Sequence, residues 1–438
     1  MLKKTAFCIV MCLLIASFTV WAAGEGEEAA AAEEITLSYW GLHGDNYRAS
    51  VEDVFAAYNE QTPGVTVVYE QIADLWNKFI TALASGDVPD FSFTWSQTLA
   101  EYALRGQLAP LDEYFTGDIT KDDFISTLVD FATHGEELYG VPIYPWTWNL
   151  YWNKTLFQEA GLDPESPPTT IEELNEYIHQ VTKLSDDGFI ESIGMMPFAN
   201  WDVYQWFYYF GGSIYDEETG KLTLNHPKNV EMLEWMTSLV ADWGVQNVQR
   251  FRGAQGEYHT ENYQFWTGRL SFDMMGLWNF EFINRFKPDL EWGVTAPPLN
   301  PGAPAGTILM TCDYNVIPAQ SKHPKEAGDV LRFWYEQESA TRIAYGFGTY
   351  TPIVRWNRDP AFLAEHPNPN IKMFSEQAAG PNAFMSPPVP IANFVLTEIN
   401  AAIEEAIYQV KTPQQALDDL QAKAEEEYAK FKRRYNLE

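Results

Sequence analysis

Hydrophobic positions follow two rhythms along this chain, and each change of rhythm marks an element. Ile35 to Trp40, ITLSYW, reads as a strand, and a polar loop runs from Gly41 to Asn46. Val51, Val54, Phe55 and Tyr58 then recur at helical spacing, and Thr62-Pro63-Gly64 ends that helix. Val65 to Tyr69 gives a second strand. Asp74 can cap a helix that carries Leu75, Phe79 and Leu83 on one face, with Gly86 just past its end. Asp90 to Trp95 is a third strand, and a short helix reaches Gly106. A β-α-β-α-β start calls for a parallel sheet with helices on its faces. Such sheets bind ligands at the carboxyl ends of their strands, here Trp40 to Asn46 and Trp95 to Gln97.

The stretch from Leu138 to Leu174 breaks this rhythm with Tyr139, Tyr144, Trp146, Trp148, Tyr151 and Trp152. Taken as a strand from Tyr144, period-two alternation sets Tyr144, Trp146, Trp148 and Trp152 on one face. That face is either core, since Trp and Tyr bury large areas in strands, or a surface on which a sugar could stack. Thr170-Ile171-Glu172-Glu173 forms a capping box for a helix expected to reach Leu184. A strand near Ile193 to Pro197, an aromatic helix from Trp201 to Phe210, a turn at Asp216 to Gly220 and a helix from Pro227 to Trp243 follow. TGRLSFDMMGLW reads as a helix end and a strand, and the proline-rich run Ala296 to Pro304 as a crossing or boundary. A strand at Asn315 to Ile317, a helix from Lys325 to Glu338, and helices near Ala392 to Gln409 and Gln414 to Tyr435 close the chain.

At 438 residues the chain exceeds one ordinary core, so two domains are expected. A formal net charge of −33 argues against nucleic acid as a partner, because binding it needs a basic surface. A neutral ligand is indifferent to that charge. Lys3, Lys4 and the apolar run Phe7 to Val20 form an export signal with cleavage near Ala22 or Ala23. Met11 stands where a lipoprotein signal has a small residue, so lipid anchoring at Cys12 is poorly supported. Gly24 to Glu34 is an acidic leader. Cys312 is then the single cysteine of the mature chain, and a packing role suits it better than that of a nucleophile.

Catalytic signatures do not emerge. The seven histidines are scattered, and no zinc-protease, Walker, dinucleotide or nucleophile-elbow motif is present. With 61 acidic residues, a carboxylate pair at glycosidase spacing is not excluded, but nothing marks one. Aromatic residues at 15% of the chain are the distinctive resource. A sugar site combines rings that stack on C–H faces with polar groups that receive hydroxyls.

Seven segments, in order, carry a resemblance over nearly the whole mature chain: VFAAYNEQTPGVTVVYE, ITALASGDVPDFSFTW, YALRGQLAPLDEYF, YGVPIYPWTWNLYWNKTLFQEAGLDPESPPTTIEEL, TGRLSFDMMGLWNF, WGVTAPPLNPG and HPKEAGDVLRFWYEQES. Together they resemble the extracellular solute-binding proteins of bacterial ABC importers, in the carbohydrate-binding family that includes maltose-binding protein. The resemblance implies an α/β, periplasmic-binding-protein-like fold: two α/β lobes joined by crossing hinge segments, with a ligand cleft between them. It implies a periplasmic or extracytoplasmic monomer that delivers a small carbohydrate to a membrane permease, without a cofactor or metal. Residues 1–23 are then the signal, 24–34 the leader, 35–145 plus 297–345 the N-terminal lobe, and 146–296 plus 346–438 the C-terminal lobe.

Matching the family's ligand loops gives His43, Asp45 and Asn46 after the first strand and Trp95, Ser96 and Gln97 after the third. It gives Trp146 just past the first crossing, Trp201 and Asp202 ahead of Gly211-Gly212, and Trp278 in MMGLW. Asp313 lies in the loop before Asn315, where the family more often has glycines. Arg355 either bonds a ligand hydroxyl or pairs with a surface carboxylate. Asp45 could instead cap its helix, and Trp40 and Trp148 could simply pack. The rivals are a protein of the same fold that cages a polyamine or binds another non-sugar solute, and a secreted carbohydrate-active enzyme.

Overall fold

The computed structural model describes residues 34–199, 202–216, 218–258, 260–387 and 389–435; residues 1–33, with the expected export signal and most of the leader, lie outside them, as does Trp201. The first sheet is built around Ile35–Gly41, which pairs in parallel with Val65–Gln71 on one side and Phe91–Trp95 on the other. This is the expected parallel start. Asp313–Val316 then adds antiparallel to Phe91–Trp95, and Val141–Pro142 completes five strands. Leu37, Tyr39, Phe91 and Phe93 point into a core shared with Phe55, Phe79 and Trp334. Each such side chain contributes about 1.5–3 kcal/mol when fully buried.

Helix Leu75–Ser85 buries Leu75, Phe79, Ala82 and Leu83, the face its spacing predicts. Gly86 ends it at φ +83°, where a side chain would be strained. Asp74 sits at the cap, but its carboxylate accepts from Asn77 Nδ2 at 3.0 and 3.1 Å instead of from a backbone N–H. The expected single helix from Lys325 is two, Pro324–Trp334 and Gln337–Phe347. Between them Tyr335 is buried and donates to Pro142 O at 2.8 Å, which ties the break to the first sheet.

The second sheet is organised by Trp146–Asn153, which pairs with Phe272–Gly276, Trp292–Thr295 and Ile308–Thr311; Ala383–Phe384 adds to the last of these. Trp148, Leu150 and Trp152 alternate into the second core with Phe272 and Met274. Tyr151 faces the other way and stacks on Trp292 at 5.4 Å. The aromatic face is therefore core along most of its length, because the helices behind it exclude water. Tyr144 precedes the strand, and Trp146 is half-buried at its first position. The Thr170–Glu173 capping box forms as expected, with Glu173 N donating to Thr170 Oγ1 at 3.1 Å. Its helix stops at Val181, short of Leu184, where Thr182 Oγ1 turns back to Ile178 O and accepts from Gly194 N.

Three links join the sheets. The first is Ile143 to Pro145, where Ile143 N donates to Asp313 O at 2.9 Å. The second is Cys312, which separates Ile308–Thr311 in the second sheet from Asp313–Val316 in the first. This moves the expected boundary at 297. The proline-rich run only loops within the second lobe, where Leu299 N bonds Thr169 O and Asn300 N bonds Tyr209 O. The third link lies later than 346, between Ile353, which bridges to Phe124 of the first lobe, and helix Ile371–Ala378, where Gln377 Oε1 accepts from Asn149 Nδ2 of the second sheet at 2.8 Å, ahead of Ala383–Phe384 in that sheet.

Candidate ligand-binding site

The carboxyl ends of the first-sheet strands meet the start of the tryptophan strand at the hinge. His43 follows the first strand, and its Nε2 lies 2.6 Å from Tyr144 Oη. The rings of Phe93, Phe347, Tyr144 and Tyr47 surround His43 edge-on at 5.3–5.6 Å. Burial among them lowers its pKa to about 4, so the imidazole is neutral at pH 7. Tyr144 stacks on Phe347 at 4.1 Å and tilts against Trp146 at 4.7 Å. Trp146 meets Trp278 edge-on at 5.0 Å, and Trp278 meets Trp148 at 5.3 Å. A wall of rings thus runs from the hinge to the second lobe. The Trp146 indole N–H has no acceptor among the described residues, a donor left over in a half-buried aromatic setting.

Asp313 was expected in a loop. It is instead the first residue of its strand, in register with Trp95, because the crossing at Cys312 leaves no loop there. Burial raises its carboxyl from 3.8 to about 8, partly opposed by the Tyr144 hydroxyl. His43, Tyr144 and Asp313 therefore form a largely uncharged polar group beside the rings. Trp95 is half-buried against Phe93 at 5.0 Å and Trp76 at 5.1 Å. Ser96 is buried at the first position of helix Ser96–Leu104, and Gln97 is half-buried beside it.

Other expected positions fall differently. Asp45 and Asn46 lie in the first turn of helix Asp45–Gln61, so Gly44 is its cap and Asp45 is not; their side chains lie outside the described residues. Asp202 is half-buried in the turn before helix Gln205–Tyr209, and burial pushes its carboxyl up to about 7 near Tyr204 and Tyr209. Arg355 donates to Asp123 Oδ1 and to Asp118 O, each at 2.7 Å, and covers the Trp356 ring. That is the surface pairing of its two expected roles, and it leaves the guanidinium engaged away from the ring wall. Trp40 packs, with its N–H on Glu70 and Lys78 over its ring. Cys312 is buried, its thiol pushed well up by burial, and serves the hinge as a packing group.

Sequence reasoning passed over Tyr47, Trp76, Phe347 and Glu281. Tyr47 stacks on Phe347 at 4.6 Å and donates to Glu281 Oε2 of the second-lobe helix Asn279–Phe286 at 3.0 Å. Trp76 follows the second strand's end, so the strand-end rule itself could have found it. Phe347 and Glu281 reach the site only through tertiary packing.

Residues 53–368 match the family model described as bacterial extracellular solute-binding protein. The chain belongs to that family. Relatives include an arabinooligosaccharide-binding protein of Bacillus subtilis (strain 168), 22% identical over 81% of this chain and 82% of its own length. A maltotriose-binding protein of Pyrococcus abyssi is 24% identical over 81% of this chain and 73% of its own. Among solved structures, CpMnBP1 with mannotriose bound superposes with a TM-score of 0.78 at 27% identity, covering 89% of this chain and all of that one. The two-lobed solute-binding architecture is thus common to this chain and its structural neighbours.

Proposed function

We propose that the protein captures a neutral sugar or oligosaccharide by closing its lobes over it, and delivers the sugar to the membrane permease of an ABC importer. The observation that carries this reading is the wall of Tyr144, Trp146 and Trp278 beside the uncharged His43–Tyr144–Asp313 group. Rings offer stacking worth about 0.5–1.5 kcal/mol each beyond area burial, by analogy with aromatic pairs. Neutral donors and acceptors receive hydroxyls without the cost of desolvating a charge. Arabinooligosaccharide, maltotriose and mannotriose recur among the relatives and neighbours, which supports an oligosaccharide over an amino acid.

Export through residues 1–23, a monomeric state and the absence of enzymatic turnover belong to the same reading, since solute-binding proteins hand over their ligand unchanged. Trp146, Trp278, Trp95, His43 and Asp313 are the residues assigned to the ligand, with Asp202, Ser96 and Gln97 as further candidates; Trp201, expected with them from the sequence, lies outside the described residues. The test is calorimetric and fluorescence titration with mannose, mannobiose, maltotriose, arabinooligosaccharides and spermidine. Saturable binding of at least one sugar, weakened tenfold or more by Trp146→Ala, is expected. A response to spermidine alone would sink the sugar reading, and turnover of chromogenic glycosides would overturn the binding-only one.

A further inference from the structure

A second polar chamber lies in the second lobe, outside the group described above. It encloses about 180 Å³ and is lined among others by Met196, Gln255, Tyr258, Tyr263, Leu270 and Asp273. Sites that enclose a whole drug-sized ligand run to roughly 300–1,000 Å³, so the chamber suits one unit of a larger molecule.

Its floor is Asp273, on strand Phe272–Gly276, whose carboxyl accepts from the Tyr263 hydroxyl and from the backbone N–H of Met274. An aspartyl group offers about four lone-pair sites, and these two donors occupy two of them. Among the described residues that line the chamber there is no lysine or arginine, so none of them would draw an anion. Met196 and Leu270 give it an apolar side.

The wall is pre-formed. Trp266 Nε1 holds Thr260 O at 2.8 Å, and Gly256 lies so close to Asn262 that a Cβ would come within 2.1 Å of its carbonyl oxygen. The Tyr258 hydroxyl also hydrogen-bonds the Trp278 side chain, which puts the chamber beside the ring wall. Tyr258 Oη lies 2.6 Å from Nδ2 of Asn279, the residue after Trp278.

We propose that this chamber is a side pocket of the ligand cleft, which takes a hydroxyl-bearing arm of the second unit of an oligosaccharide and binds it through Asp273 and Tyr258. The apolar side receives the C–H edge of the unit, and Asp273 receives its hydroxyl. The inference rests on the sugar reading above and extends it to ligand length.

The experiment is isothermal titration of the wild type, Ala199→Leu, which fills the chamber from its rim, and Asp273→Asn, which keeps the shape of the carboxyl. Mannose, mannobiose, mannotriose and maltotriose serve as probes, and circular dichroism checks that each variant is folded. Both variants should lose tenfold or more in affinity for the di- or trisaccharide that the wild type binds, and change monosaccharide affinity by less than twofold. Equal affinities for the oligosaccharide in wild type and the folded Ala199→Leu variant would overturn the chamber while leaving the sugar reading intact. Binding of none of the sugars by the wild type would overturn the reading and the chamber together.

Discussion

At the scale of single residues, the hinge aspartate is the most informative. Asp313 holds its proton to about 8 in the folded chain against 3.8 in an exposed carboxyl. Folding then takes up a proton over that interval. The sign follows from linkage: the contribution is fully favourable below 3.8 and is lost as pH rises toward 8. Asp313→Asn, a neutral isostere, should remove that slope. Thermal midpoints of the two proteins should therefore converge as pH falls to 3.8, with the variant increasingly ahead as pH rises toward 8; parallel curves would contradict a protonated Asp313. Residue type and strand-end position pick out His43 and Trp95 as candidates in the sequence, while Trp146 and Trp278 come from matching the family's ligand loops. Arg355 is less legible, because a guanidinium is equally at home on a hydroxyl or on Asp123, and only the packing of Asp123 beside it decides.

At the scale of elements, local signals fared best where backbone chemistry alone sets the outcome. The Thr170–Glu173 box starts helix Ile171–Val181 with both reciprocal bonds made. Replacing Thr170 by Ala should cost about 1 kcal/mol, measured as a lower urea midpoint with an unchanged m-value, and Thr170→Ser should restore it. Ends set by tertiary contact were harder to read. The helix stops where Thr182 binds Gly194, a strand away in sequence, and the proline-rich run resembles a crossing because prolines end strands whether or not the chain changes lobe. Asp313 shows the same limit, since its strand exists only because Phe91–Trp95 is there to pair with it.

At the scale of the whole molecule, charge and closure decide how binding is expressed. A net charge of −33 would bind a polycation through long-range attraction that salt screens. A neutral sugar has no such term, so its Kd should change by less than about twofold between low and high salt, while polyamine binding would weaken steeply. Closure depends on contacts made only when the lobes meet, because a ligand shifts the open–closed balance only by its differential affinity for the two states. Tyr47 to Glu281 is expected to be such a contact, a 3.0 Å hydrogen bond from a first-lobe helix to a second-lobe helix. The Tyr47 ring is held for it by Phe347, so Tyr47→Phe keeps the stack and removes only the bond. An exposed hydrogen bond is worth about 1 kcal/mol, which is about fivefold in Kd. If it forms only on closure, its loss appears in the dissociation rate, because association then starts from an open protein without the bond in either variant. Stopped-flow tryptophan fluorescence separates the two rates. A slower association with unchanged dissociation would mean that the Tyr47–Glu281 bond orders the open cleft and does not latch the closed one.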